Sequence, residues 1–185
     1  MSEPSAEQQS VLLDALGEAQ RIGMLGPSSL ETAIRRAWAF VDRCPTEART
    51  FVDLGTGGGL PGLVVAVGRP DLSGLLVDRR AKRIDLVTRL IGRLGLTDRI
   101  RAWAGDVADL PAMMKEPWDV ATCRGFGSPS YTARLASPVV RVGGVLLVSE
   151  PPESTGSRWD DPDVATEGFR LEDVTEGVAR LRRVP

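Results

Sequence analysis

The stretch Phe51-Val52-Asp53-Leu54-Gly55-Thr56-Gly57-Gly58-Gly59-Leu60-Pro61-Gly62 decides the reading of this chain. A short apolar run breaks into a glycine-rich turn, and Pro61 stands where proline suits the first turn of a helix, since its missing N–H is not needed there. Outward from this unit, apolar runs near 51–54, 74–77, 99–103, 118–122 and 144–149 alternate with helical stretches near 61–68, 80–94 and 129–140. That alternation predicts a parallel sheet covered on both faces. Two further runs, 169–174 and 178–184 around Glu176-Gly177, predict a closing hairpin. Upstream, Leu12, Ala15, Leu16, Ala19 and Ile22 recur at helical spacing. Ser28-Ser29-Leu30-Glu31 then reads as a capping box ahead of a helix with Leu30, Ile34, Ala37, Trp38 and Val41 on one face. Two helices are too few for a domain. The expected organisation is an N-terminal helical cap over 1–49 and a Rossmann-like α/β domain over 50–185, doubly wound and mostly parallel, ending in an antiparallel hairpin.

Composition excludes several classes of protein. With 185 residues, 42% hydrophobic and 26% charged, the chain is neither fibrous nor wholly disordered. Its apolar runs, such as Val145 to Val148, are too short to span a bilayer, and residues 1–20 lack a basic-then-apolar signal, so a cytoplasmic protein away from membranes is expected. Two cysteines, Cys44 and Cys123, without CxxC spacing, and no histidine at all, predict no metal site. Net charge is −2, but its placement is uneven: residues 79–101 carry eight basic side chains against Asp85 and Asp98, whereas 153–176 carry eight acidic ones against Arg158 and Arg170. Asp85 and Arg89 are spaced to pair on the helix between them.

Read literally, Gly57, Gly59 and Gly62 satisfy GxGxxG, and Asp78 lies 21 residues after Gly57, as a dinucleotide site requires. Asp53 argues against that ligand. At the carboxyl end of the first strand a carboxylate repels a pyrophosphate and favours a cation. S-adenosyl-L-methionine carries a sulfonium and an ammonium and no phosphate. The turn glycines would let the backbone approach it, Asp53 would attract its cationic end directly or through water, and Asp78 would take the ribose hydroxyls. Asp106, after the third strand, would accept from the adenine amino group while Val107 packs on the ring. Three acids at three successive strand ends form a more specific pattern than GxGxxG alone.

With those residues in view, the chain resembles class I S-adenosylmethionine-dependent methyltransferases, and within them the RsmG/GidB family, which methylates guanine N7 of 16S ribosomal RNA. The resemblance covers about residues 20–150. It rests on Asp53 to Gly62 with its proline, on Leu76-Val77-Asp78 followed by Arg79-Arg80-Ala81-Lys82-Arg83, and on Trp118 to Arg124. It implies a cofactor site of Asp53, Gly55, Gly57, Gly59, Pro61, Asp78, Arg79, Asp106, Val107 and Arg124, with Arg124 also as the catalytic residue at the target. It further implies 16S ribosomal RNA, or the small ribosomal subunit, as partner. Gly125 to Pro129, Gly143-Gly144 and Ser149 to Pro152 look like a divergent branch. Family members commonly carry a histidine in the helix before the glycine turn, and Arg36 takes that place here.

Mechanism agrees with this reading independently. Guanine N7 is unprotonated and needs alignment rather than a general base, which suits a chain without histidine. Arg124 would orient the base through O6 and N7 or hold a phosphate, Phe126, Tyr131 and Trp159 are candidates to stack on the base, and the arginines of 79–101 would meet phosphates. Two other readings stand beside this one: a methyltransferase of the same fold with a small-metabolite acceptor, and a non-catalytic S-adenosylmethionine-binding protein.

Overall fold

Alternate residues along the central strands face opposite ways, and each set meets its own layer of helices. A computed structural model describes residues 2–151 and 153–185; Pro152, in the Ser149 to Pro152 run, lies outside them. In chain order the elements are α1 (Ala6–Arg21), α2 (Leu30–Arg43), β1 (Thr50–Leu54), α3 (Gly62–Gly68), β2 (Ser73–Asp78), α4 (Ala81–Arg93), β3 (Ile100–Ala104), α5 (Leu110–Met113), β4 (Trp118–Cys123), α6 (Pro129–Ala136), β5 (Val140–Ser149), α7 (Pro162–Thr166), β6 (Phe169–Thr175) and β7 (Val178–Arg183). Phe51, Leu76, Val120, Val145 and Leu147 belong to one apolar cluster with α1 to α4. Val52, Val77, Ala121, Leu146 and Val148 join the other, with residues of α5, α6 and α7. This one-residue alternation makes the domain three layers thick.

The sheet runs β3-β2-β1-β4-β5-β7-β6. Strands β1 to β5 pair in parallel, and β7 lies antiparallel between β5 and β6. The expected hairpin is therefore present, with its second strand inserted next to β5. At its turn Glu176 and Gly177 both take positive φ, 54° and 71°, as a two-residue turn of that hand requires. Strand order reverses between β1 and β4, since successive crossovers run one way from β1 and the other way from β4. Such a reversal opens a crevice at the carboxyl ends of those strands.

Three local expectations differ from what forms. The second helix is capped by Ser29, whose hydroxyl accepts from the Thr32 N–H (3.3 Å), rather than by Ser28 with Glu31. A reciprocal capping box occurs instead at Ser5 and Gln8, where the first helix begins. The helix expected over 129–140 stops at Ala136, because Val140 already pairs with Trp118 as the first residue of β5. The Asp85 carboxylate does not pair with Arg89, whose guanidinium donates to the Asp85 carbonyl (3.3 Å) and to Glu18 of α1 (3.2 Å).

The two N-terminal helices share the larger core. Leu12, Leu16, Ile34, Trp38 and Phe40 are buried in the cluster that also holds Val145, Leu147 and Val178 of the sheet. Leu16→Ala should therefore cost about 2–5 kcal/mol, the usual range for a fully buried leucine, in one cooperative urea transition. A loss below 0.5 kcal/mol would show that α1 is only loosely docked.

Candidate functional site

Asp53, the first residue of interest in the crevice, is fully buried. One carboxylate oxygen accepts from the Gly62 N–H (3.1 Å), at the start of α3, and the other from the Thr122 hydroxyl (2.7 Å), near the end of β4. A Cβ on Gly62 would stand 2.5 Å from the carboxylate, so only glycine permits this approach. Burial pushes the Asp53 pKa up to about 6, against the pull of Thr56, Thr122, the Gly62 N–H and the Arg124 guanidinium. The Thr56 hydroxyl itself stands outside hydrogen-bonding geometry. Asp53 thus ties the glycine turn to two strands, and it does not face open solvent.

A cleft of about 190 Å³ is lined by Gly55, Asp78, Arg79, Asp106 and Val107 among the expected residues, and by Arg83, Gly105, Gly125, Phe126 and Tyr131 among others. Gly55 has φ +70°, and a Cβ there would stand 2.8 Å from the Phe126 ring, so glycine lets the aromatic close over the turn. Asp78 accepts from the Gly57 N–H (3.0 Å), the Arg80 N–H (2.9 Å) and Arg83 Nη1 (3.1 Å). Asp106 accepts from the Ala108 N–H (3.0 Å) and lies 3.7 Å from Arg79. Gly59 and Pro61 are buried behind the turn, with the Leu60–Pro61 peptide cis, and Gly57 is half-buried. The structure therefore gathers five of the ten expected residues in the cleft, sets Gly57, Gly59 and Pro61 in the turn, and buries Asp53 at the end of β1.

Arg124 faces a neighbouring cleft of about 630 Å³, together with Arg36, Ala37 and Phe40 of α2, Ser149 and Glu150 after β5, and Glu176 and Gly177 at the hairpin. The turn Arg124–Phe126 is common to both clefts, since Gly125 and Phe126 line the first and Arg124 the second. Glu150 accepts from Ser154 Oγ (2.5 Å), Trp159 Nε1 (2.9 Å) and the Arg158 guanidinium. Burial raises its pKa, but these hydrogen bonds together outweigh that and hold it below the usual glutamate value. Trp159 is buried beside Glu150, so it cannot stack on a base. Phe126 and Tyr131, with ring centres 5.8 Å apart, line the first cleft.

The basic run 79–101 is not a free cationic face. Arg83 pairs with Asp78, Arg79 with Asp106, Arg89 and Arg93 with Glu18, and Arg93 also with Asp14. Arg99 donates to the carbonyls of Ala66 (2.5 Å) and Leu72 (2.8 Å), and Arg101 to that of Thr97. Among the described residues, Arg80 and Lys82 keep side chains without such partners. Sequence reasoning missed this because the acceptors come from other elements. It also gave Arg36 no place in a cleft, although its substitution for the family histidine was a signal.

Comparisons with known proteins agree on the class. In fold, the chain is similar to a crystal structure of cofactor-bound Rv0187 from MTB (TM-score 0.66, 18% identity, 94% of this chain and 89% of that one). It is likewise similar to the SAH-bound Podospora anserina methyltransferase PaMTH1 (TM-score 0.65, 13% identity, 100% and 90%). The fold is thus that of a Rossmann-like methyltransferase. A family model described as rRNA small subunit methyltransferase G matches residues 33–154, and the chain belongs to this family, GidB. Ribosomal RNA small subunit methyltransferase G of Clostridium perfringens (strain 13 / Type A) is 32% identical over 133 residues, 70% of this chain and 55% of the relative. The protein of the same name from Thermobifida fusca (strain YX) is 30% identical over 151 residues, 78% and 60%. The chain thus spans little more than half the length of these relatives. The cofactor of the class is S-adenosyl-L-methionine. The first cleft fits it chemically, with hydrogen-bond acceptors at Asp78 and Asp106, an apolar wall of Val107 and Phe126, and a turn that stays open because Gly55 has no side chain.

The raised pKa of Asp53 has a measurable consequence. Its native state holds a proton more tightly than the unfolded chain, so this contribution to stability is full below the usual carboxylate value and is lost as pH rises from about 4 to about 6. The loss is on the order of 2–3 kcal/mol. Asp53→Asn, whose amide can still meet Gly62 N–H and Thr122, should lack it. Urea unfolding of both proteins at pH 4 and pH 6.5 measures the difference, and parallel pH profiles would refute it.

Proposed function

We propose that the chain transfers a methyl group from S-adenosyl-L-methionine to guanine N7 of 16S ribosomal RNA. The observation that carries this reading is the pair of clefts joined by the Arg124–Phe126 turn: one has acceptors and an apolar wall for the cofactor, the other an arginine at its mouth for the target. The names of the family and its relatives support the RNA acceptor.

When bound, S-adenosylmethionine supplies a methyl group on a positively charged sulfur. The residues of the chain bind and align. Asp78 accepts from the ribose hydroxyls, which requires Arg83 to yield its hydrogen bond to the same carboxylate. Asp106 accepts from the adenine amino group, and Val107 packs on the ring. Arg79 sits at the rim, within reach of Asp106. Gly55, Gly57, Gly59 and Pro61 shape the turn that holds the amino-acid end, and Asp53 acts from beneath, fixing the turn and contributing negative charge above its pKa. Guanine N7 has an in-plane lone pair and no proton, so no base is needed. A guanidinium on N7 would occupy that lone pair, so Arg124 donates to O6 and leaves N7 free to attack. Alignment is then the main source of rate.

A small-metabolite acceptor is the second reading, favoured by most arginines of 79–101 being engaged within the fold.

Labelled S-adenosylmethionine and small subunits from cells lacking the guanine-N7 modification should yield label in 7-methylguanosine. Absence of label in a preparation that binds S-adenosylhomocysteine would remove the RNA reading. Asp78→Asn should weaken S-adenosylhomocysteine binding at least tenfold by calorimetry, about 1.4 kcal/mol, with circular dichroism unchanged. Equal affinity would displace the ribose from Asp78.

A further inference from the structure

Arg36 stands on the second turn of α2 and lines the same cleft as Arg124, which comes from the end of β4, 88 positions later in the chain. Many arginines of this protein are already held by the fold: Arg43 by Asp173, Arg69 by Asp71, Arg141 by Asp119, Arg180 and Arg182 by Glu172. Arg36 and Arg124 are different. Both are exposed, and neither donates a hydrogen bond to a described residue or forms an ion pair with one. Two like charges facing one concavity repel each other, and an anion between or beside them relieves that repulsion. Of the carboxylates in the lining, Glu150 is engaged by Arg158, Ser154 and Trp159, and Glu176 belongs to the β6–β7 turn.

We propose that Arg36 binds the phosphate of the acceptor nucleotide whose base Arg124 orients. The assignment rests on the acceptor reading above and adds to it a division of labour between the two cations. Arg124 adjoins the cofactor cleft through Gly125 and Phe126, so its guanidinium is the one near the reacting base. Arg36 approaches from the helix side, beside Phe40, where the backbone of a nucleotide inserted base-first would lie. A guanidinium fork matches two phosphate oxygens, a geometry an imidazole cannot supply. Arg36 is thus a specificity-determining residue of this chain.

Binding, rather than turnover, tests this. The full chain loaded with S-adenosylhomocysteine is titrated with a short single-stranded RNA containing guanosine, at several salt concentrations. Removing one phosphate contact lowers the slope of log affinity against log salt by about 0.7 for a single strand. Arg36→Gln should show that decrease, Arg36→Lys should retain the wild-type slope, and Arg124→Gln should weaken binding with the slope kept. Guanosine 5′-monophosphate and guanosine, as competitors, separate the two sources of phosphate. If the RNA slope is unmoved but wild type prefers the monophosphate tenfold and Arg36→Gln does not, the site still holds a phosphate, that of a free nucleotide. An unmoved slope with no phosphate preference overturns the assignment. So does a tenfold loss of S-adenosylhomocysteine binding in Arg36→Gln, which would place Arg36 at the cofactor. A slope change in a protein that puts no label into small-subunit RNA would leave Arg36 assigned and overturn only the methylation reading.

Discussion

The buried carboxylate of Asp53 is the constraint on which the functional end of this molecule depends. It spans three pieces of chain at once: the end of β1 that bears it, the first residue of α3 through the Gly62 N–H, and the end of β4 through Thr122. A buried carboxylate is costly unless its oxygens are bonded. Meeting that cost requires the glycine turn to fold back far enough for Gly62 to reach the carboxylate, and this brings Gly55 under Phe126. The position of the turn, the opening of the first cleft and the placement of the Arg124–Phe126 segment all follow from one carboxylate whose partners are far apart in sequence.

Charge is distributed by the same logic of partners from distant elements. A helix with Arg83, Arg89 and Arg93 in sequence looks like a cationic surface. Folding sets Asp78 beside Arg83 and Glu18 beside Arg89 and Arg93, so much of that charge is spent internally. Exposed pairs of this kind each contribute little to stability. Their effect is on the field: Arg36 and Arg124, which carry no such pair, line one cleft beyond the carboxyl ends of the strands. The acidic segment behaves alike, since Glu172 engages Arg180 and Arg182, and Asp173 engages Arg43.

The N-terminal helices contribute to function as well as to the core. Their apolar faces join the cluster that covers Val145, Leu147 and Val178, which the crossover helices α3 and α4 do not complete alone. Packed there, α2 presents Arg36, Ala37 and Phe40 to the second cleft, so covering a sheet face and building one side of an acceptor site are a single event.

Much of this was legible in the residues themselves. Short apolar runs and glycine punctuation mark most strands within a residue or two, because a strand buried on both faces leaves an uninterrupted apolar run, whereas β5 begins at Val140, four residues before the run that announced it. The glycine turn and the acids Asp78 and Asp106 are likewise local, since a strand end determines which way its last side chains lie. Helix ends were less legible: Ser28 and Ser29 are equally good caps in sequence, and the path of the preceding chain chose Ser29. Beyond reach of any local pattern were the burial of Asp53, the pairing of the arginines and the placing of Arg36 and Arg124 on one cleft. Each of these depends on which groups come together from separate elements, and sheet order, not spacing along the chain, sets those distances.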